Sequence, residues 1–305
     1  ASMSSTKRTR ATKSARANSD TDKGVMRDDI TRRVIGFPAS FLDFIAVRAH
    51  GITPKRRGFL FAACGCAFSL AATLAWPVDL SRLAPSPVVL SAEGDVLRAF
   101  LSPDQSWRLA ATPEDVDPLY LKMLLAWEDR RFYSHIGVDP LALGRAVYQA
   151  LGHGRIVSGA STLSMQVARL LSASAPSRSL WVKLDQMRRA IRLEASLSKA
   201  EILNAYLTLA PFGGNIEGVS AGSLAWLGKA PRRLTAAQAA LLVALPQQPE
   251  RARPDRNADA AKAARDKVLA RMVELGVLTE QQGREAQAEA MPRQRHPLPF
   301  LAPHL

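Results

Sequence analysis

Trp127-Glu128-Asp129-Arg130-Arg131-Phe132-Tyr133-Ser134-His135-Ile136-Gly137-Val138-Asp139 is the stretch around which the chain is organised. Upstream, Leu121, Leu124 and Leu125 recur at helical spacing, which puts Glu128 one turn further on, near a helix end. Two adjacent carboxylates, two arginines, two aromatic rings and a histidine then crowd into a short segment closed by Gly137. Rings beside a carboxylate desolvate it and raise its pKa towards the range a general base needs. Taken alone, the stretch reads equally well as a charged helix terminus with a satisfied histidine.

Working outward, 305 residues are enough for one or two domains with a real core. The formal net charge of +14 is uneven: residues 1–57 hold 13 Lys/Arg against 5 Asp/Glu. Residues 1–24 are Ser, Thr, Lys, Arg and Ala with almost no large apolar side chain, a composition that reads as disordered. Apolar residues thicken over 34–47 between flanking arginines, which fits either a helix lying on a lipid surface or a partly ordered linker. Residues 58–76 then carry no charge at all. At 1.5 Å per residue they make about 28 Å of helix, close to the thickness of a bilayer core. Lys55, Arg56 and Arg57 directly precede the span, so the positive-inside rule puts the tail in the cytoplasm and the rest outside. A cleaved signal peptide is disfavoured because the basic region is too long, and a lipoprotein site at Cys64 because only six apolar residues precede it. Cys64 and Cys66, the only cysteines, lie in the span on different helix faces and imply neither disulfide nor metal site. A basic tail beside a membrane span also makes nucleic acid the weakest partner class.

Beyond the span, Pro85 and Pro87 mark a linker. Residues 88–100 read strand, turn, strand, with Glu93-Gly94-Asp95 at the turn, and Trp107 and Leu109 are expected to extend this small sheet. Helical text starts at Thr112, where Asp115 completes a capping box and Pro113 suits the first helical position. Asp139-Pro140 starts a further helix, which runs into the glycine-rich loop 152–159. On the helix that follows, Leu163, Val167 and Leu170 form the buried face, while Thr162, Gln166 and Arg169 fall on a polar one. A glycine loop entering a helix start with hydroxyls and an arginine suits an anion such as phosphate; the plainer alternative is an N-capped surface helix. Residues 180–197 form another helix with Leu184, Met187, Ile191 and Leu197 inward and Lys183, Gln186 and Glu194 on a second face. Capping boxes at Ser198, Thr235 and Thr279 open three more helices, Ile216 to Leu227 is stopped at Gly228, and Asn257 to Leu275 is closed by Gly276.

The exported part is therefore mainly α, about eight or nine helices with a small membrane-proximal β element. The expected division is a basic cytoplasmic tail (1–57), a transmembrane helix (58–76), a membrane-proximal linker and β element (77–111), a catalytic lobe (112–290) and a proline-rich linker (291–305) leading towards an absent further domain.

From about Pro87 to Met272 the chain resembles glycosyltransferase family 51, the peptidoglycan polymerases of penicillin-binding proteins. Glu128 to Gly137 is similar to the family's first motif, whose first acid is the general base. Gly159-Ala160-Ser161-Thr162 through Gln166 resembles the second, Lys183 to Gln186 the third, Lys199 with Ile202, Leu203, Tyr206 and Leu207 the fourth, and Arg265 with Val268, Leu269 and Met272 the fifth. The order and spacing of all five make the match specific, and Leu163 to Gln166 with Ala210 to Gly214 look most like the 1C type. Three positions depart from the pattern. Met165 stands for the first of a glutamine pair, Thr208 for an asparagine, and Gln186 for a second glutamate. A glutamine amide cannot take a proton or hold charge. Glu194, roughly 12 Å further along the helix axis, reads as a surface residue rather than a substitute.

The resemblance implies a lysozyme-like helical glycosyltransferase lobe that polymerises lipid II into glycan strands for the cell wall, with inversion at the anomeric carbon and release of polyprenyl pyrophosphate. The catalytic residues implied are Glu128 as base, with Asp129 orienting and Gln186 at the place of the second acid. Phe132, His135, Ser161, Thr162, Gln166, Arg169 and Lys183 are the implied substrate contacts, with Arg169 and Lys183 on the leaving pyrophosphate. No cofactor is required and no metal ligand cluster is visible, although a pyrophosphate accepts a divalent cation such as Mg2+. The implied partners are lipid II, the nascent strand, the bilayer and other cell wall synthesis proteins, at an inner (plasma) membrane with the catalytic part periplasmic or extracellular. Two rival readings are a lysozyme-like peptidoglycan hydrolase and a catalytically idle membrane scaffold, the latter drawing on Gln186.

Overall fold

The computed structural model of the protein describes residues 77–153, 161–172 and 179–301. The basic tail, the surface helix or linker expected at 34–47, the span at 58–76 with its cysteines, and most of the glycine-rich loop lie outside the described residues. Among the described residues no helix is long and apolar enough to cross a membrane.

The chain is mainly helical. An antiparallel hairpin comes first, β1 (Val88–Leu90) with β2 (Val96–Ala99), Val88 opposite Ala99. The turn falls where expected, and Gly94 takes a φ of 86° there that a side chain would resist. Trp107 does not extend this sheet. Instead β3 (Trp107–Arg108) pairs in parallel with β4 (Ile216–Glu217), more than a hundred residues away. The reason lies in Arg108, whose buried guanidinium needs anionic partners. Glu217 accepts from its Nε at 2.7 Å and Asp104 from its NH2 group at 2.5 Å, neither of them on the hairpin. Leu109, just past the strand, is core.

The capping box at Thr112 and Asp115 forms, but it opens only one 3-10 turn, Pro113–Asp115. Pro118 disfavours helical geometry at the residue before it, so the helix restarts there. Helix α1 (Pro118–Glu128) has Pro118 in its first turn and Asp117 as cap, the carboxylate accepting from the Leu119 amide at 2.9 Å. After it come α2 (Pro140–His153), α3 (Leu163–Leu171), α4 (Leu180–Ser196), α5 (Lys199–Leu209), α6 (Val219–Leu227), α7 (Ala236–Ala244), α8 (Ala258–Glu274) and α9 (Glu280–Ala288). The capping boxes at Ser198, Thr235 and Thr279 all form. Gly228 ends α6 in the left-handed conformation, φ 68°.

Helix α7 is apolar except for Gln238, and most of it is buried, packed between α1 and α8. On the other side α3 packs against α4 and α5. One buried cluster joins α1, α3, α5, α6, α7 and α8. The inward face of α4 differs from the expected one: Leu184 is 55% exposed, and Ala190 and Leu193 fill the core instead. Only the second half of that helix lies on the core, and Trp181 in its first turn is exposed too. The proline-rich tail also departs from a free linker. Met291 packs on the core, the His296 amide donates to Ala225 at 2.7 Å and the Leu301 amide donates to Leu97 at 2.8 Å. The Arg98 guanidinium sits 4.6 Å from the ring centroids of both Phe100 and Phe300. Prolines bar helix but not an extended strap along a sheet edge.

Candidate active site

Tyr120 and Leu124, one turn apart on α1, are fully buried, and Glu128 follows at the next turn of the same stripe. The helix thus carries its last side chain out of the core and into a cavity of about 1170 Å³. There Glu128 Oε2 accepts from Gln166 Nε2 at 2.8 Å and Oε1 accepts from Gln247 Nε2 at 3.0 Å. Burial pushes the Glu128 carboxyl above its ordinary value, although the two amides and the nearby Arg169 guanidinium pull it the other way. Asp129, a like charge, adds to the rise.

Asp129 and His135 are placed differently. Both are buried, and His135 Nε2 lies 2.9 Å from Asp129 Oδ2. The Gly137 amide donates to His135 Nδ1 at 3.1 Å, which assigns the ring proton to Nε2 and makes Asp129 its acceptor. Asp129 also accepts from the Leu163 amide at 3.0 Å, and so fixes the start of α3. Thr162 caps that helix, accepting from the Met165 amide at 3.1 Å while donating to the Gly137 carbonyl at 2.6 Å. Gly137 has a φ of 94°, and a Cβ there would meet the Ala190 carbonyl oxygen at 2.6 Å. Arg131 forms a two-pronged ion pair with Asp139, which caps α2 through the Leu141 and Ala142 amides at 3.0 Å each. Burial alone would raise the Asp139 carboxyl, but Arg131 and those amides hold it below the usual carboxylate range.

Glu128, Asp129, Ser161, Thr162, Gln166 and Arg169 all line the one cavity. Lys183 reaches it through a hydrogen bond to Ser161 Oγ. Burial, and then repulsion from Arg169, draw the Lys183 ammonium below the ordinary lysine range. Phe132 is 1% exposed and belongs to the core, not to a substrate surface. His135 stands behind the wall with it, and Gln186 is not among the lining residues.

Sequence reasoning missed two residues. Gln247 ends the 3-10 turn Leu245–Gln247, which Pro246 forces at the end of α7. A polar residue just after a proline that ends an apolar helix was the available signal. Glu194 is not a surface residue: its side chain is 8% exposed. It accepts from Ser164 Oγ at 2.5 Å and from Lys199 Nζ at 2.6 Å. Lys199 also donates to the His135 carbonyl at 2.6 Å and sits 4.6 Å from the Phe132 ring centroid. The spacing of Glu194 from Lys199, across a helix break, gave no periodic signal.

Among the described residues no group of three or more His, Cys, Asp or Glu side chains is placed to hold a metal ion. What the cavity offers is one desolvated carboxylate, hydroxyls and amides, and a cationic shelf. That set can take a proton from a hydroxyl on one side and stabilise a developing anion on the other.

The chain is 46% identical to penicillin-binding protein 1C of Escherichia coli over 231 residues, 75% of this chain and 29% of that protein. It is 36% identical to penicillin-binding protein 1A of the same organism over 71% of this chain and 25% of that one. The chain thus spans under a third of the length of these relatives. The crystal structure of penicillin-binding protein 1A from Haemophilus influenzae aligns at 18% identity over 68% of this chain and 20% of that one, with a TM-score of 0.38, too loose a superposition to inform the fold. The family profile described as Transglycosylase matches residues 93–273, more than half of the chain, and the chain belongs to that family.

Proposed function

We propose that the chain is a peptidoglycan glycosyltransferase that polymerises lipid II into glycan strands with inversion and release of polyprenyl pyrophosphate. The observation that carries this reading is Glu128, a carboxylate raised by burial yet lining an open cavity with Arg169. A sugar hydroxyl is a poor nucleophile near neutral pH, so its proton must leave as it attacks the anomeric carbon. Glu128 accepts that proton. As the bond from the anomeric carbon to the diphosphate oxygen breaks, negative charge grows on the leaving group. Fixed cations stabilise that charge more than they stabilise the ground state. Arg169 supplies one, and Lys183 a second, with Ser161 and Gln166 as hydrogen-bonding groups. No cofactor is required in this reading, although the diphosphate can take a divalent cation such as Mg2+. Asp129 and His135 act on the geometry of the wall, not on substrate.

In this reading the uncharged stretch 58–76 anchors the chain in the plasma membrane with its N-terminus cytoplasmic, so that the lobe meets a lipid-linked sugar at the outer surface. Contacts with other cell wall synthesis proteins belong to the same proposal. Purified chain incubated with labelled lipid II tests it: the expected product is polymeric glycan from the parent and none from Glu128→Gln. Loss of finished glycan with no new polymer would favour hydrolysis. An inactive parent would favour a scaffold.

A further inference from the structure

Seven of the nine residues of helix α7 are buried, and the turn at its end places Gln247 within reach of the base. Leu245 and Pro246 of that turn are themselves buried, so the Gln247 backbone is tied to the core. Gln166 comes from the opposite wall, on α3, whose start is fixed by Thr162 and Asp129. The two amides grip different oxygens of one carboxylate. Each oxygen has two acceptor positions, so one stays open on each for an incoming proton. Rotation of the carboxylate about its own axis would break both bonds.

We propose that Gln247 is a positioning residue for the catalytic carboxylate, forming with Gln166 a two-sided amide clamp that fixes the plane of Glu128 and sets the acidity at which it works. The inference rests on the reading of Glu128 as base. Other charged groups also face the cavity. Asp129 repels at the helix end, and Arg169 of α3 attracts. The neutral hydroxyls of Tyr120 on α1 and Tyr206 on α5 are buried close by. Arg130 lines the cavity next in sequence to Asp129, as do Arg145 of α2 and the paired Arg131 and Asp139, and from α8 come Lys267, 6.0 Å from the Trp127 ring centroid, and Arg271, which is paired with Glu274. Against that background an uncharged donor at position 247 favours the ionised form, and its loss disfavours it.

Two substitutions with opposite signs test this. Gln247→Leu removes the donor and raises the Glu128 pKa; Gln247→Lys puts a cation in its place and lowers it. The measurement is the pH profile of kcat/KM for lipid II polymerisation by the full chain, with circular dichroism as a check of folding. The acid limb is expected to move up by about half a pH unit or more in Gln247→Leu and down by a similar amount in Gln247→Lys. Turnover of Gln247→Leu at the optimum is expected to fall about tenfold, because the carboxylate plane is no longer held. A residue that only supported the fold would lower activity in both variants and leave the limb where it was. Acid limbs that coincide with the parent's, or move in the same direction in both variants, overturn the proposal; should Gln247→Leu not fold, an unmoved limb in Gln247→Lys does so alone. If Glu128→Gln retains full polymerisation, the underlying reading fails instead, and the two failures are told apart by that one control.

Discussion

His135 Nε2 and Asp129 Oδ2 lie 2.9 Å apart with both side chains 3% exposed, so the histidine of the opening motif faces the protein rather than the cavity. Its other nitrogen accepts the Gly137 amide, and Asp129 in turn holds the start of α3. The pair is a brace that joins the end of α1 to the wall carrying Gln166 and Arg169. Asp129→Ala strands the His135 donor and the Leu163 amide together. It is expected to cost about 3 kcal/mol in urea unfolding, with polymerisation falling in parallel. An undestabilised Asp129→Ala protein would remove the brace from the account.

Gly137→Ala is a second structural test. The substitution puts a side chain at a φ of 94° with its Cβ 2.6 Å from the Ala190 carbonyl oxygen, where backbone and not a flexible side chain must yield. A loss of at least about 2 kcal/mol is expected, read from the shift of the denaturation midpoint.

The raised Glu128 carboxyl has a consequence for stability as well as rate. Its folded-state pKa lies above the ordinary 4.5, so the native state holds that proton more tightly than the unfolded chain does. Stability therefore declines as pH rises from about 4.5 through the raised value. Glu128→Gln has no such group to titrate. The variant is expected to lose polymerisation by a factor of about 100 to 10,000 and to lack the parent's decline in unfolding free energy over that window. Parallel stability curves for the two proteins between pH 4 and 7 would contradict the burial argument.

Arg169 acts on two groups at once, drawing the Glu128 carboxyl down and pushing the Lys183 ammonium down. Arg169→Ala is expected to move the acid limb of polymerisation to higher pH and to weaken competition by a polyprenyl diphosphate about tenfold. Lys183→Ala should weaken that competition without moving the limb. Inhibition constants measured beside pH profiles separate the two.

Gln186 stands where the family resemblance expects a second acid, yet it is off the cavity wall. Gln186→Glu is accordingly expected to change turnover by less than about threefold, in either direction, in the same assay. A large gain would mean that this part of α4 closes onto the cavity when substrate binds.

Much of this was legible before the structure. The leucines of α1, the capping boxes at Ser198, Thr235 and Thr279 and the glycine stops are local signals, and each marks its element within a residue or two, whereas the box at Thr112 marks only a 3-10 turn. Glu128, Gln166 and Arg169 could be singled out because charged and amide groups at helical spacing leave a pattern. The misses have a common physical origin in contacts between distant parts of the chain. Parallel pairing of β3 with β4 depends on where a buried guanidinium finds carboxylates, which no window around Trp107 contains. Glu194 reads as solvated until Ser164 and Lys199 are brought to it. Phe132 sits among charges in the sequence and is implied as a substrate contact by the resemblance, but the fold turns it into the core under Lys199.

That the β3 strand waits for β4, and Glu128 for Gln247, orders the birth of this protein. A ribosome that has delivered only the first two hundred residues has made the acid but neither the helix that shields it nor the amide that grips it. Long-range closures of this kind are slow and leave apolar faces open meanwhile. The same topology has a second effect: a chain cut short before Gln247 lacks one of the two amides that hold the Glu128 carboxylate.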